Sequence, residues 1–200
     1  MNEALVDTLR LHPPSVIVIG ASAGAVDALM QLLPPLPADL PVPIVVVVHV
    51  PADRRSALPQ LFAQTSALTM CEAEDKMTLQ PATVYFAPPD YHLLIEHDGT
   101  LALSVDEAVH YSRPSIDVLF ESAAESRGDR VLGILLSGAS RDGALGLASI
   151  REAGGHTWVQ SPETAQVAVM PRAALELAPH VTLDPASMGR ILADWGTRRG

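Results

Sequence analysis

Val16-Ile17-Val18-Ile19-Gly20-Ala21-Ser22-Ala23-Gly24-Ala25-Val26-Asp27 decides the fold. Val16 to Ile19 is an unbroken β-branched run, which suits a strand buried on both faces. Ala25, Ala28, Leu29, Leu32 and Leu33 follow at the spacing of one helix face, and Pro34-Pro35 stops that helix. Gly20 and Gly24 bracket a serine between strand and helix, so the turn reads G-x-S-x-G, the setting of a nucleophile elbow. Such a turn lifts the Ser22 hydroxyl above the sheet edge. It also sets Ser22 beside the unpaired N–H groups of a helix start, where negative charge is favoured. Two other readings are available for the same residues. A dinucleotide-binding G-x-G-x-x-G turn needs glycine at position 22, where the backbone must approach a pyrophosphate, and serine stands there. A turn of small residues could also serve only to pack helix on strand.

The rest of the chain repeats the alternation. Ile44 to Val48 is a second wholly apolar strand and ends at His49. Pro51 leads to a helix across Ser56 to Gln64, and Leu68 to Cys71 is a short strand. Thr83 to Phe86, Leu93 to Glu96 and Leu101 to Ser104 read as three short strands, with Asp98-Gly99 as a hairpin signal between the last two. Together they predict an antiparallel extension. Pro114 stands at the start of a helix that aligns Ile116, Leu119, Phe120 and Ala123. Val131 to Leu136 is the third strongly buried strand, and Ser137-Gly138-Ala139-Ser140-Arg141-Asp142-Gly143 is its loop. A helix over Ala144 to Ala153 ends at Gly154-Gly155. A strand at His156 to Val159, a helix at Arg172 to Leu177, a strand at Val181 to Leu183 and a last helix to Trp195 complete the pattern. The expected fold is α/β: a doubly wound, mainly parallel sheet with helices on both faces and a short antiparallel extension. Residues 1–14 read as a lead-in and residues 15–200 as one domain.

Composition narrows the function. The 200 residues are 48% hydrophobic, enough for one sizeable core. A net charge of −10, with 13 Lys and Arg and no dense basic run, argues against nucleic acid and anionic membrane as partners. No apolar run reaches the roughly 18 residues of a membrane helix, and no signal peptide opens the chain. Both point to a cytoplasmic protein. The single cysteine, Cys71, excludes an internal disulfide and reads as a buried structural thiol. The histidines are scattered, and with no cysteine pair or H-E-x-x-H there is no case for a metal or other cofactor.

Ligands of parallel sheets sit at the carboxyl ends of the strands. Ser22, His49 and the loop holding Asp142 all follow that end of an apolar strand. A serine hydroxyl needs a base to take its proton, and the base needs an acid to fix its tautomer. His49 is placed for the first task and Asp142 for the second. His92, in Pro88-Pro89-Asp90-Tyr91-His92, is the rival base. Asp90 and Asp117 are weaker options for the acid, and Asp142 could instead be a helix N-cap.

At this point the chain resembles a known family. Gly20-Ala21-Ser22-Ala23-Gly24, His49-Val50-Pro51, Glu72-Ala73-Glu74-Asp75, Phe86-Ala87-Pro88, Arg113-Pro114-Ser115-Ile116-Asp117-Val118-Leu119-Phe120, Ser137-Gly138 to Asp142-Gly143 and Met170-Pro171-Arg172 are similar, in order, to the CheB chemotaxis methylesterase catalytic domain. The resemblance runs from about residue 15 to the end. It implies hydrolysis of glutamate methyl esters on the cytoplasmic helices of chemoreceptors, with deamidation of receptor glutamine as a related activity. It implies Ser22 as nucleophile, His49 as base and Asp142 as orienting acid, with the backbone N–H groups of Ala23 and Ala139 facing the oxyanion. The chain departs from the family's usual pattern at Ala23 and Ala25, where a hydroxyl residue and a glycine stand, and at Ala139 and Ser140, where methionine and glycine stand. Backbone donors survive these changes, but side-chain help at position 23 does not. A binding module that has lost its chemistry, or an esterase or amidase for another substrate, therefore stays open beside the methylesterase. Arg54 and Arg55 are candidates to meet acidic receptor helices. The family commonly carries an N-terminal receiver domain, and about 14 residues are too few for one. The expectation is activity that needs no phosphoryl donor. The oligomeric state is not legible.

Overall fold

The computed structural model describes residues 2–49, 57–109, 111–178 and 180–197. In chain order the elements are α1 (Asn2–Leu11), β1 (Val16–Ala21), α2 (Ala25–Leu32), β2 (Ile44–Val48), α3 (Leu58–Phe62), β3 (Thr69–Glu72), β4 (Thr83–Phe86), β5 (His92–Ile95) and β6 (Leu101–Ser104). They continue with α4 (Ile116–Arg127), β7 (Val131–Leu135), α5 (Ala144–Glu152), β8 (His156–Gln160), α6 (Val169–Leu177), β9 (Val181–Leu183) and α7 (Pro185–Thr197).

Seven strands form one parallel sheet in the order β3-β4-β2-β1-β7-β8-β9. β1, β2 and β7 lie at its centre and are buried at every position, which is why they read as continuous apolar runs. Their side chains still alternate between two cores. Ile17 and Ile19 face one layer, with Leu29 and Leu32 of α2, Phe62 of α3 and Met188 and Ile191 of α7. Val16 and Val18 face the other, with Leu119 and Phe120 of α4, Leu147 and Ile150 of α5 and Met170 of α6. The hairpin β5–β6 adds Leu93, Ile95 and Leu101 to this second layer.

β2 and β4 run to one side of β1, while β7, β8 and β9 run to the other. The strand order therefore reverses between the parallel neighbours β1 and β7, and the crevice beyond the carboxyl ends of such neighbours is where ligands bind. The two strand ends are stitched there. Leu136 N–H donates to the Gly20 carbonyl (2.9 Å), and Ser22 N–H donates to the Ser137 carbonyl (2.9 Å).

Several expectations need correction. Thr83–Phe86 does not belong to the antiparallel extension: β4 pairs parallel with both β2 and β3, aligning Ile44 with Val84. Its run Val84-Tyr85-Phe86 is buried throughout, the mark of an inner parallel strand, which the neighbouring Asp98-Gly99 turn obscured. Cys71 is half-buried rather than buried, because β3 is an edge strand, exposed or half-exposed at all its positions. Residues 2–11 are helical, with Val6 and Leu9 packed beside Trp195 of α7, whose indole N–H donates to the Leu9 carbonyl (3.1 Å). The α6 helix begins at Val169, with Pro171 in its first turn, where a missing N–H costs nothing. Of the expected helix over Ser56 to Gln64, Leu58–Phe62 is helical as α3, and Ser56 lies outside the described residues.

Gly20 is required by a close approach. A methyl group there would collide with Cγ2 of buried Ile116, at the start of α4. Gly20→Ala is expected to cost about 1–3 kcal/mol in urea-unfolding measurements, as overpacking of a filled core does. It should also slow catalysis, since the Ile116 backbone holds Asp142, as described next. Unchanged stability would mean that Ile116 moves aside freely.

Candidate active site

The turn that carries Ser22 is fixed from both sides. The Ser22 carbonyl accepts from Ala25 N–H (3.0 Å), closing the turn into α2. Gly24 has φ +84°, a left-handed conformation, and a Cβ there would lie 2.7 Å from Ser137 Oγ. The buried Ser137 hydroxyl donates to the Ala23 carbonyl (2.7 Å) and accepts from Val167 N–H (2.9 Å). Gln160 Oε1 accepts from Ser137 N–H (2.8 Å), so a buried amide from β8 anchors the hub. Ser137 and Gln160 escaped the sequence reading. Ser137 follows β7 and Gln160 ends β8 at the same edge, and only the three-dimensional closure of β7 on β1 reveals their use.

His49 follows β2 and donates its backbone N–H to the Ala21 carbonyl (3.2 Å), which seats it beside the serine turn. Ser22 and His49 line one cleft of about 280 Å³, together with Gly24, Asp27, Val48 and Gln166. Asp142 is 0% exposed. Its Oδ2 accepts from His49 Nε2 (2.7 Å) and from Ile116 N–H (2.7 Å). Its Oδ1 accepts from Ser115 Oγ (2.8 Å) and Asp117 N–H (3.0 Å). The carboxylate thus sits on the first turn of α4, where free N–H groups and the helix dipole favour a negative charge. The helix-cap alternative is met at α4: Asp142 accepts from the first turn of that helix, while α5 has Gly143 at its N-cap position and no side-chain cap.

An ionised carboxylate only accepts, so the His49 proton lies on Nε2. Nδ1 is left with a lone pair, the state a general base needs. The Ser22 hydroxyl is not hydrogen-bonded to His49 in this arrangement, as is common before substrate tightens a site. Two further donors stand ready: among the described residues nothing accepts from the backbone N–H of Ala23 or of Ala139, and both residues are exposed. Strand ends, turn and helix start thus converge Ser22, His49, Asp142, Ala23 and Ala139 at one sheet edge.

His92 stands behind the acid. Its Nδ1 accepts from Ser115 N–H (3.2 Å) and its Nε2 donates to the Glu107 carbonyl (3.0 Å), so both nitrogens are committed. It buttresses Ser115, the N-cap of α4, whose own Oγ reaches Asp142. Pro114-Ser115 carried this signal, a Ser cap one residue later than the helix start first assigned to Pro114. Asp117 is buried and accepts from Gly146 N–H (2.7 Å), tying α4 to α5. Asp90 is paired with Arg113 (2.6 Å). Arg54 and Arg55 lie outside the described residues. Among the described residues no group of three or more His, Cys, Asp or Glu side chains is arranged around a metal position. Nor is any helix long and apolar enough to cross a membrane.

Burial pushes the Asp142 carboxyl up, and this is the largest influence on it. The hydrogen bonds from His49, Ile116, Asp117 and Ser115 together outweigh it and hold the group below its ordinary range. Its native pKa is therefore lower than the roughly 3.9 of an unfolded aspartate. The resulting stability is present above that value and is lost as the pH falls through the native one. The melting temperature of the wild type should exceed that of Asp142→Asn at pH 7, and the gap should narrow below about pH 4. A gap that stays constant on acidification would mean that the carboxylate charge contributes nothing.

Comparison with known proteins places the geometry in context. The family model described as CheB methylesterase matches residues 17–192. A Leptospira interrogans relative, provisionally named protein-glutamate methylesterase/protein-glutamine glutaminase, is 47% identical over 160 residues, covering 80% of this chain and 83% of its own. Protein-glutamate methylesterase FrzG of Myxococcus xanthus is 38% identical over 184 residues, covering 92% of this chain. The chain spans 55% of that longer relative. The crystal structure of the Thermotoga maritima CheB methylesterase catalytic domain aligns with a TM-score of 0.85 at 31% identity, over 90% of this chain and 98% of that one.

Proposed function

The chain belongs to the CheB methylesterase family, and from that premise we propose that it is a protein-glutamate methylesterase with Ser22 as its nucleophile. The observation that carries the reading is the 2.7 Å contact between buried Asp142 and half-buried His49, whose imidazole shares a cleft with Ser22.

The steps follow from the atoms. His49 Nδ1 takes the Ser22 Oγ proton as the oxygen attacks the ester carbonyl carbon of a methylated glutamate. The carbonyl π pair moves onto oxygen, and the N–H groups of Ala23 and Ala139 meet that charge. Collapse breaks the bond to methoxide, which leaves as methanol with the proton held by His49. Water then attacks the glutamyl-Ser22 ester, again giving its proton to His49. As the acyl bond breaks, His49 returns that proton to Ser22 Oγ, leaving glutamate and free Ser22. Asp142 holds the imidazole in one tautomer and stabilises the imidazolium formed in each half-reaction. With glutamine as substrate the same steps release ammonia, in keeping with the glutaminase part of the relatives' names.

The substrate in this reading is the cytoplasmic helical region of methyl-accepting chemoreceptors, and the protein acts in the cytoplasm without a cofactor. The test is methanol release by the purified protein from membranes bearing methylated receptors, with 4-nitrophenyl acetate as a small ester in parallel. Release from receptors is the expected result. Hydrolysis of the small ester alone would indicate an esterase for another substrate. Activity on neither would favour the binding module.

A further inference from the structure

His49 forms a wall between two depressions. One holds Ser22. The other, of about 340 Å³, is lined by His49, Asp90, Tyr111, Ser112 and Arg113 among others. Tyr111 is the most conspicuous residue of the second. It is 104% exposed, beyond any other large apolar or aromatic side chain among the described residues. Val109 and Ser112, on either side of Tyr111 in the chain, exchange two backbone hydrogen bonds (3.1 and 2.9 Å). Tyr111 has φ +62°, a left-handed conformation that is unfavourable for a bulky side chain. Asp90, across the same depression, has φ +64°. Two of the four non-glycine residues with positive φ among the described residues therefore border the face beside His49. Strain held at a cleft in this way needs bracing.

Arg113 supplies the bracing. Its Nε and Nη2 donate to Asp90 Oδ1 (3.0 and 2.6 Å), and its Nη1 donates to the carbonyls of Val105 (3.0 Å) and Asp106 (3.1 Å). Both strained residues are thus tied to one guanidinium, Asp90 directly and Tyr111 two residues along the chain. The same bonds occupy Arg113, so it offers little to an incoming carboxylate. What this rim presents beside the base is an aromatic ring, rigid and with few rotamers to lose, the kind of group that anchors protein interfaces.

We infer that Tyr111 anchors the helix that carries the methylated glutamate, packing on the apolar residues that flank the ester while the ester itself enters the Ser22 cleft. The occupant is a helical segment of the receptor, because Tyr111 and His49 line one depression, and whatever covers the Ser22 cleft beside His49 extends over it. Ordinary strain relief would favour glycine or asparagine at this position. A tyrosine held there against that preference is explained by a contact that only its side chain makes. The inference rests on the methylesterase reading.

The experiment compares the wild type with Tyr111→Phe, Tyr111→Ala and Tyr111→Gly, measuring methanol release from methylated receptor and 4-nitrophenyl acetate hydrolysis. The Ala and Gly variants should raise KM for receptor about tenfold, the loss typical of an interface anchor, with kcat within about twofold. The ratio of receptor to small-ester kcat/KM should fall by the same factor. Tyr111→Phe should keep most of the wild-type ratio. Tyr111→Gly should melt above Tyr111→Ala, because glycine relieves the strain, yet bind receptor no better. A receptor KM unchanged in Tyr111→Ala overturns the anchor alone, as does an equal loss on both substrates. A wild type that releases no methanol from receptor overturns the methylesterase reading and the anchor with it.

Discussion

Ser22→Ala is expected to lower methanol release by about four orders of magnitude or more while leaving the fold unchanged. The size of the loss follows from the chemistry: without Oγ no acyl-enzyme forms, and only the backbone donors and substrate positioning remain. The fold should tolerate the change because the structural bonds of this residue are made by its backbone, Ser22 N–H to the Ser137 carbonyl and Ala25 N–H to the Ser22 carbonyl. Alanine keeps both. Unfolding by urea should match the wild type within about 0.5 kcal/mol, and circular dichroism should be superimposable. A variant that keeps a substantial share of wild-type turnover would remove Ser22 from the nucleophile's role.

His49→Ala should be as damaging as Ser22→Ala, and the double variant no worse than either. A base with no nucleophile to activate has nothing to contribute, so residues that act as a unit lose their effect once, not twice. Asp142→Asn should cost less, by analogy about one to two orders of magnitude less than losing the base. An asparagine carries one oxygen where the carboxylate carries two, yet the four donors remain: His49 Nε2, Ile116 N–H, Ser115 Oγ and Asp117 N–H. Its NH2 must therefore confront one pair of them. If it faces His49, the ring accepts at Nε2 and its proton moves to Nδ1, where it blocks the attack on Ser22. If it faces Ser115 and Asp117 instead, His49 keeps its acceptor; in either orientation one α4 N–H, of Ile116 or of Asp117, is left unpaired at a cost of about 1–3 kcal/mol. Asp142→Asn should thus lose both rate and stability, whereas Ser22→Ala loses rate alone. Multiplying losses in the double variant, measured as kcat/KM, would contradict the shared role of Ser22 and His49.

The sequence was most legible where physics leaves few choices. β1, β2 and β7 are apolar at every position because both faces of a central parallel strand are covered. Knowing those strands was enough to bring Ser22, His49 and Asp142 to one edge. G-x-S-x-G also carried its own geometry, since Gly20 lies under Ile116 and Gly24 is left-handed. Less could be read where the fold depends on partners remote in sequence. The sequence groups β4 with the hairpin beside it, because four residues cannot announce whether their neighbour runs parallel or antiparallel. The true anchor of Asp142 was hidden for the same reason. A loop aspartate before a helix suggests a cap for that helix, and nothing local says that its donors lie 25 to 27 residues upstream, in α4. Tyr111 gave no sequence signal at all, since its backbone conformation shows only in three dimensions.

In the proposed mechanism Ser22 is a nucleophile activated by the His49–Asp142 pair. The most direct test of that role is to treat the protein with a serine-directed fluorophosphonate and locate the adduct by peptide mass spectrometry. The predicted result is one adduct per chain, on Ser22, with loss of methanol release in proportion to labelling and labelling greatly slowed in His49→Ala. An unmodified Ser22 in protein whose activity the reagent has abolished, or labelling as fast without His49 as with it, would contradict it.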